Sequence, residues 1–221
     1  MNLLLIDTAG PVVGVAAFRG DHPTFVGAER VAAGTEAWLA VALDQALGSL
    51  PSLDRVAVTV GPGAFTGVRV GVAAALGLAF ARGLDVAPIS SLALRACLAP
   101  GAERVLALLD ARKGKVYAGW FDTRGESPVA LGAETDASLD DVLGHPPAVR
   151  ARDVSDVPVA VGEGAEVFAE RVRAAGVSVL PCAAAAPVSA GWALACAATA
   201  KAPEGIALRY LREPDARPRM D

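Results

Sequence analysis

The sequence predicts an α/β fold of two lobes, each built on a mixed sheet flanked by helices. Three observations carry this. Strands open each half of the chain in meander form and then alternate with helices, as in a mixed α/β sheet. The pattern of apolar strand, Asp, polar turn and returning strand occurs twice, in LLLIDTAGPVVGVAAFRG and in ERVLALLDARKGKVYAGWF. The 221 residues are 53% apolar but only 5% aromatic, enough for a sizeable core in which small Ala and Val side chains let helices and sheets come close.

Each element follows from local pattern. LLLID, residues 3–7, reads as a buried strand ending at an acid, and VVGVAAFRG returns after the TAGP turn. DHP turns again and TFVGAERV is a third strand. Residues 35–49 place Trp38, Leu39, Ala42, Leu43, Ala46 and Leu47 on one helical face, with Thr35 as N-cap and Gly48 at the stop. RVAVTV, 55–60, is a strand, and GPGAFTGVRVGVAAALGLAFARG follows as turn and helix. DVAPISS reads as a short strand and SLALRACLA as a helix.

Near residue 103 the pattern begins again, with a strand ending at Asp110, a turn through Gly114 and the returning strand VYAGWF. Then come a strand and a short helix capped by Ser138, a Pro-rich polar stretch over 144–158, and strand, glycine turn and helix in VAVGEGAEVFAERVRAAG. VSVLP is a strand, and 187–201 a helix with Pro187 near its start. The polar tail is expected to fray. The repeat divides the chain into a first lobe over 1–100 and a smaller, less regular second lobe over 101–221. Coincidence between two ordinary hairpins is the competing explanation.

Bulk chemistry excludes several classes. A net charge of −4 argues against a chain that holds nucleic acid by itself. Cys97, Cys182 and Cys196 form no C-x-x-C pair and read as buried, reduced thiols. His22 and His145 lie in turn-like contexts and cannot supply a helical metal-ligand pair. There is no Ser-His-Asp set and no nucleophile elbow. MNLLLIDTAG lacks the basic start and long apolar run of a signal peptide, and the most apolar window, 68–81, is shorter than the ~20 residues of a membrane span. The expectation is a cytoplasmic chain without a membrane partner.

The glycine turn at 61–67 is the most informative stretch. It is not a P-loop, because no Lys follows the glycines, and not a dinucleotide fingerprint, because Gly61, Gly63 and Gly67 have the wrong spacing. Two readings remain. In one, Gly61, Gly63 and a helix capped by Thr66 hold an anion beside Arg69. In the other, the turn only seats a helix. Gly67, Gly71, Ala74, Ala75 and Leu78 recur at three-to-four spacing, a small-residue stripe that lets a second helix approach, either 36–48 of this chain or a helix of another. Asp7, with Thr8 after it, and Asp110 are candidates to hold Mg²⁺ or orient a phosphate, or else simply cap turns. Two lobes of this kind fit an actin or sugar-kinase-like architecture with nucleotide between the lobes. An ATP-binding, kinase-like or ATP-hydrolysing enzyme is therefore one reading of the residues, and an interaction protein the other.

Four motifs add a resemblance. GPGAFTGVRVG resembles the G-P-G-S-F-T-G-[LV]-R-[IV]-G signature of the TsaB family, also called YeaZ. LLLIDTAG resembles its opening strand and D-T turn, LALLDARKGKVYAGWF its D-A-R-x-G-[EK]-V-Y segment, and RYLRE its C-terminal Y-L-R. In the same order, these span residues 3–213.

The resemblance implies a two-lobed actin-like fold (ASKHA, RNase H-like). It implies a non-catalytic role in forming N6-threonylcarbamoyladenosine next to the anticodon of tRNAs that read ANN codons. The implied partners are the catalytic TsaD subunit, which this chain would join as a heterodimer, and the ATPase TsaE. A homodimer is implied when the chain is alone, and tRNA is met only through the complex. No cofactor is required by this chain, with ATP or ADP at the subunit junction. The implied interface lies on 36–48 and 66–82, with Trp38, Leu39, Ala42, Gly67, Arg69, Val70, Gly71, Ala74 and Leu78. The nucleotide or anion candidates remain Asp7, Thr8, Gly61, Gly63, Thr66 and Asp110, with no metal ligand set. Ala64 stands where the family often has Ser, the first helix lacks the family's common His, and 144–158 matches nothing in the family. A glycoprotease activity has no support, since nothing supplies a metal-bound water or activated nucleophile.

Overall fold

The computed structural model describes residues 1–147 and 157–211. Its two halves are two separate sheets. In the first, β1 (Asn2–Asp7), β2 (Val12–Arg19) and β3 (His22–Arg30) form an antiparallel meander. Gly20, at φ 62°, makes the tight turn that starts the third strand two residues before the expected Thr24. Helix α1 (Thr35–Gly48) leads to β4 (Arg55–Thr59), parallel to β1, and α2 (Phe65–Arg82) leads to β5 (Val86–Ile89), parallel to β4. The order is β3-β2-β1-β4-β5.

The LLLID run lacks polar alternation because both of its faces are buried. Leu4 and Ile6 pack with Val56, Val58 and Val68 under α1 and α2. Leu3 and Leu5 point the other way, into a cluster with Phe18, Leu94, Val188 and Ala195.

Helix α3 (Ser91–Ala96) crosses to the second sheet, capped by Ser90, whose Oγ accepts from the Leu92 and Ala93 amides. There β6 (Val105–Arg112) and β7 (Lys115–Asp122) form the second hairpin, followed by β8 (Val129–Ala130), β9 (Thr135–Ser138) and α4 (Leu139–Gly144). Ser138 caps α4 as expected, its Oγ accepting from Asp141 N at 3.1 Å. Strand β10 (Val159–Val161) joins β6 in parallel, then α5 (Glu163–Val167), α6 (Ala169–Ala174) and β11 (Ser178–Val179) follow. Leu106 and Leu108 face α4–α6, whereas Val105, Ala107 and Leu109 face α3.

The last described segment returns to the first sheet. α7 (Ala186–Ala190) and α8 (Trp192–Ala197) cover its Leu3/Leu5 face, and Lys201 pairs with Val86 at its edge.

Four expectations need correction. Gly34, at φ 80°, and not Thr35, occupies the N-cap of α1. Ala64, with no side-chain bond, and not Thr66, precedes α2. The helix expected after the 162–164 turn is two short ones meeting at Phe168. The helix expected over 187–201 breaks at Gly191, where a Cβ would collide with Leu5 and Leu94 side chains of the core. Among the described helices, the 18-residue α2 is long and apolar enough to cross a bilayer by length and composition alone. Here it lies on the first sheet with 28% of its residues buried. Most of 144–158, and the tail from residue 212, lie outside the described residues.

Candidate functional site

The glycine turn is a seat for other backbone. Val60 continues the parallel pairing by donating to Ile89 O at 3.0 Å, and the Gly61–Pro62 bond is cis. A Cβ at Gly63 would collide with the Ala9 carbonyl, which also accepts from Ala64 N at 2.8 Å. Thr8, buried, donates its hydroxyl to Gly67 O at 2.7 Å, and a Cβ at Gly67 or Gly71 would run into Thr8. The β1–β2 turn and the start of α2 thus interlock through backbone, which only glycine permits.

Gly61, at φ 109°, lies under the Arg209 carbonyl, while Arg209 N donates to Val60 O at 2.7 Å. Beside it, the Tyr210 ring stacks on Phe65 with centroids 4.9 Å apart. Arg69 lies 3.6 Å over Phe65 and donates from Nε to Tyr210 OH at 3.0 Å. The motifs at 61–71 and 209–211 therefore form one structure, a link invisible in the linear sequence.

The small-residue stripe divides between two faces. Leu39, Ala42 and Gly71 are buried; Trp38, Gly67, Val70, Ala74 and Leu78 are half-buried; Arg69 and Thr66 are exposed. Leu39, Ala42 and Gly71 therefore serve the chain's own interior. The outward face of α2 is instead Thr66, Arg69, Ala73, Gly77 and Phe80, the last 84% exposed, with Val41 of α1 at 60%. Gly77, as a glycine inside the helix, signals a close approach in the sequence already, whereas Ala73, Phe80 and Val41 escaped the sequence reading. Their three-to-four spacing, and the absence of charge between Arg69 and Arg82, were the available signals.

The repeated acids part company. Asp110 is exposed and its Oδ1 accepts from Arg112 N at 2.7 Å, which makes it a turn residue. Asp7 is buried: Oδ1 accepts from Thr59 Oγ1 at 2.7 Å and Ala9 N at 3.1 Å, and Oδ2 from Arg95 Nη1 at 2.7 Å. Arg95 in turn clamps Glu163 with Nε and Nη2, both at 2.9 Å. Burial alone would lower the Arg95 pKa, but the Asp7 and Glu163 carboxylates outweigh it and raise it. Burial alone would raise Glu163, yet Arg95 holds it below the usual carboxylate range. A Cβ at Gly10 would stand 2.8 Å from both Arg95 Nη2 and Glu163 Oε1. Of the candidate acids, Asp7 is thus occupied by this chain's own guanidinium and is not free to orient a phosphate or hold a metal ion. Among the described residues, no group of three or more His, Cys, Asp or Glu side chains could hold a metal.

Comparison with known proteins places the chain in a family. The family model described as "TsaD: tRNA N6-adenosine threonylcarbamoyltransferase" matches residues 17–190. The Pseudomonas aeruginosa structure described as an uncharacterised protein similar to peptidase YeaZ covers 96% of this chain and 99% of its own at 28% identity, with a TM-score of 0.78. A second, "YeaZ from Pseudomonas aeruginosa", reaches 0.72 over 92% and 96%. Fold and site define a two-lobed actin-like α/β protein in which buried Arg95 bridges Asp7 of the first sheet and Glu163 beside the second. Escherichia coli "tRNA threonylcarbamoyladenosine biosynthesis protein TsaB" is 37% identical over 132 residues, 58% of this chain and 55% of that protein. An uncharacterised Mycobacterium tuberculosis protein is 31% identical over 98% of this chain and 94% of its own length. The chain belongs to the TsaB/YeaZ family. It spans about half the length of the E. coli and Haemophilus influenzae TsaB proteins it matches.

Proposed function

We propose that this chain is a non-catalytic subunit of the cytoplasmic assembly that forms N6-threonylcarbamoyladenosine next to the anticodon of tRNAs reading ANN codons. In this reading it pairs with a TsaD-like catalytic subunit through the outward face of α2 together with α1, and a TsaE-like ATPase joins the pair. ATP or ADP belongs to the subunit junction, and tRNA is reached only through the complex.

The observation that carries the reading is the outward face of α2. From Val70 to Ala81 the helix has no charge, and Phe80 stands 84% exposed. Covering one such phenylalanine is worth about 1.5–3 kcal/mol, which a monomer forgoes. A stable pair needs roughly 800 Å² from each partner. An 18-residue helix about 27 Å long, with α1 beside it, has the reach for that. The engagement of Asp7 by Arg95 favours an interaction subunit over a kinase-like enzyme.

The test is co-expression with a TsaD-like protein from the same genome, with one partner tagged. Gly77 is exposed, and a Cβ there meets nothing within 4 Å, so Gly77→Arg tests docking without disturbing the chain's own packing. The wild-type pair is expected to co-purify. Gly77→Arg should abolish the pair while the free chain keeps its circular dichroism and melting temperature, and Gly77→Ala should retain it. Pairing that survives both Gly77→Arg and Phe80→Asp would reject this face. A homodimer that persists in place of the pair would reject the heterodimer.

A further inference from the structure

We infer that Arg95 is an interlobe latch: its guanidinium stands as a resident cation between Asp7 of the first sheet and Glu163 of the second, and holds the lobes at one closure without any ligand.

The geometry has the parts a latch needs. Asp7 ends β1, the central strand of the first sheet. Glu163 opens α5, directly after β10 of the second sheet. Arg95 lies on α3, the helix that passes from one sheet to the other, and its side chain is fully buried. Its donors are committed in both directions, with Nε and Nη2 on the two oxygens of Glu163 and Nη1 shared by Asp7 Oδ2 and Ser91 O at 3.2 Å. Only arginine offers this planar fork.

Glycines bring the flanking loops onto it. A Cβ at Gly10 would press on Arg95 and Glu163 together. At Gly162, a Cβ would meet Leu108 O at 2.6 Å and Arg95 Cγ at 3.1 Å, and at Gly164 the Leu108 backbone at 2.8 Å. The β1–β2 turn and the 162–164 turn therefore meet across the guanidinium. Other groups that feel this cluster are the half-buried Cys182 thiol, pushed up to about 11 chiefly by its burial, and Arg30, whose charge acts on Glu163. Domains of one chain move relative to each other unless something large or strongly bonded ties them. In this chain α3 packs Leu92, Ala93 and Ala96 on the second sheet, and the buried three-residue charge network adds a bonded tie to that packing.

A latch and an ordinary buried ion pair predict different things. Removing Arg95 alone leaves two buried carboxylates without their counter-charge, which lowers stability under either view. In the double variant Arg95→Met with Glu163→Gln, one of those charges is gone and much of the melting temperature should return. The lobes, however, would have lost their tie. Hydrogen exchange read by mass spectrometry at residues 8–11 and 162–166 separates the two. We expect at least tenfold faster exchange at both turns in the double variant, with exchange in β1 and β6 unchanged, and a larger radius of gyration by small-angle scattering. Protection at both turns equal to wild type in the double variant would overturn the latch.

Wild type gives a second reading that depends on no variant. The two turns should exchange as slowly as β1 and β6 beside them, and Mg·ATP at millimolar concentration should change neither their protection nor the melting temperature. Independent opening of the turns, or protection gained on adding Mg·ATP, would overturn the inference even if the variants fail to fold.

Discussion

Two buried glutamates titrate in opposite directions, and each sets a different limb of the stability curve. Arg95 holds Glu163 below the usual carboxylate range despite the cost of burial. Its contribution is therefore present above the unfolded-state value near 4.3 and is lost as pH falls through the lowered folded value. Glu134 is the reverse. Burial pushes it up, against the Ser90 hydroxyl at 2.5 Å on Oε1 and against Arg209, whose Nη1 lies 3.1 Å from Oε2 as an ion pair without hydrogen-bond alignment. Its contribution is full below the unfolded value and is lost as pH rises through the raised one. Urea midpoints from pH 3 to 7 check both signs. Glu163→Gln should cost about 3–5 kcal/mol at neutral pH, as a broken buried pair, with the gap to wild type narrowing in acid. Glu134→Gln should lack the wild-type decline above pH 4, so the comparison moves in favour of the variant as pH rises.

Helix α2 shows how one residue type serves two purposes on opposite faces of an element. Gly71 faces Thr8, whose hydroxyl is tethered to Gly67 O and cannot step aside. Gly77 faces outward with nothing near its Cα. The same substitution should therefore change sign along the helix. Gly71→Ala overpacks the junction with β1 and should destabilise by about 1–3 kcal/mol. Gly77→Ala removes an exposed helical glycine and should stabilise by about 0.5–1 kcal/mol. Chemical denaturation of the two variants side by side is the check, and equal effects would mean the helix is not seated as described.

At the scale of the whole molecule, the chain closes on its own beginning. The last described residues pass the edge of the first sheet at Val86, place Ile206 and Leu208 against its core, and finish over the glycine turn with Arg209 and Tyr210. A chain ending at Gly205 would leave Val60 O and the Phe65 ring without these partners. Such a chain should have a lower urea midpoint and faster exchange at residues 60–66, and it would also strip buried Glu134 of its Arg209 partner. Tyr210→Ala should reproduce about 1 kcal/mol of that loss, the usual worth of an aromatic pair beyond its area. Normal protection at 60–66 in the shortened chain would show that the segment is only an appendage.

What the sequence by itself determined is the set of local elements. Strand and helix periods, the Ser138 cap and the turn through Gly114 are written in neighbouring residues, and short-range sterics and hydrogen bonding decide them. Family membership was legible too, because its motifs are runs of adjacent residues. Only the tertiary structure decided what those elements face. Gly71 inward and Gly77 outward are indistinguishable as letters, and position 191 must be glycine because Leu5 and Leu94 already occupy the space. Arg95 looked like one charge on a short apolar helix. It became the centre of the molecule when folding brought Asp7, 88 residues before it, and Glu163, 68 residues after it, within hydrogen-bond reach. Burying a guanidinium is tolerable only where such distant carboxylates converge, and local sequence holds no record of that convergence.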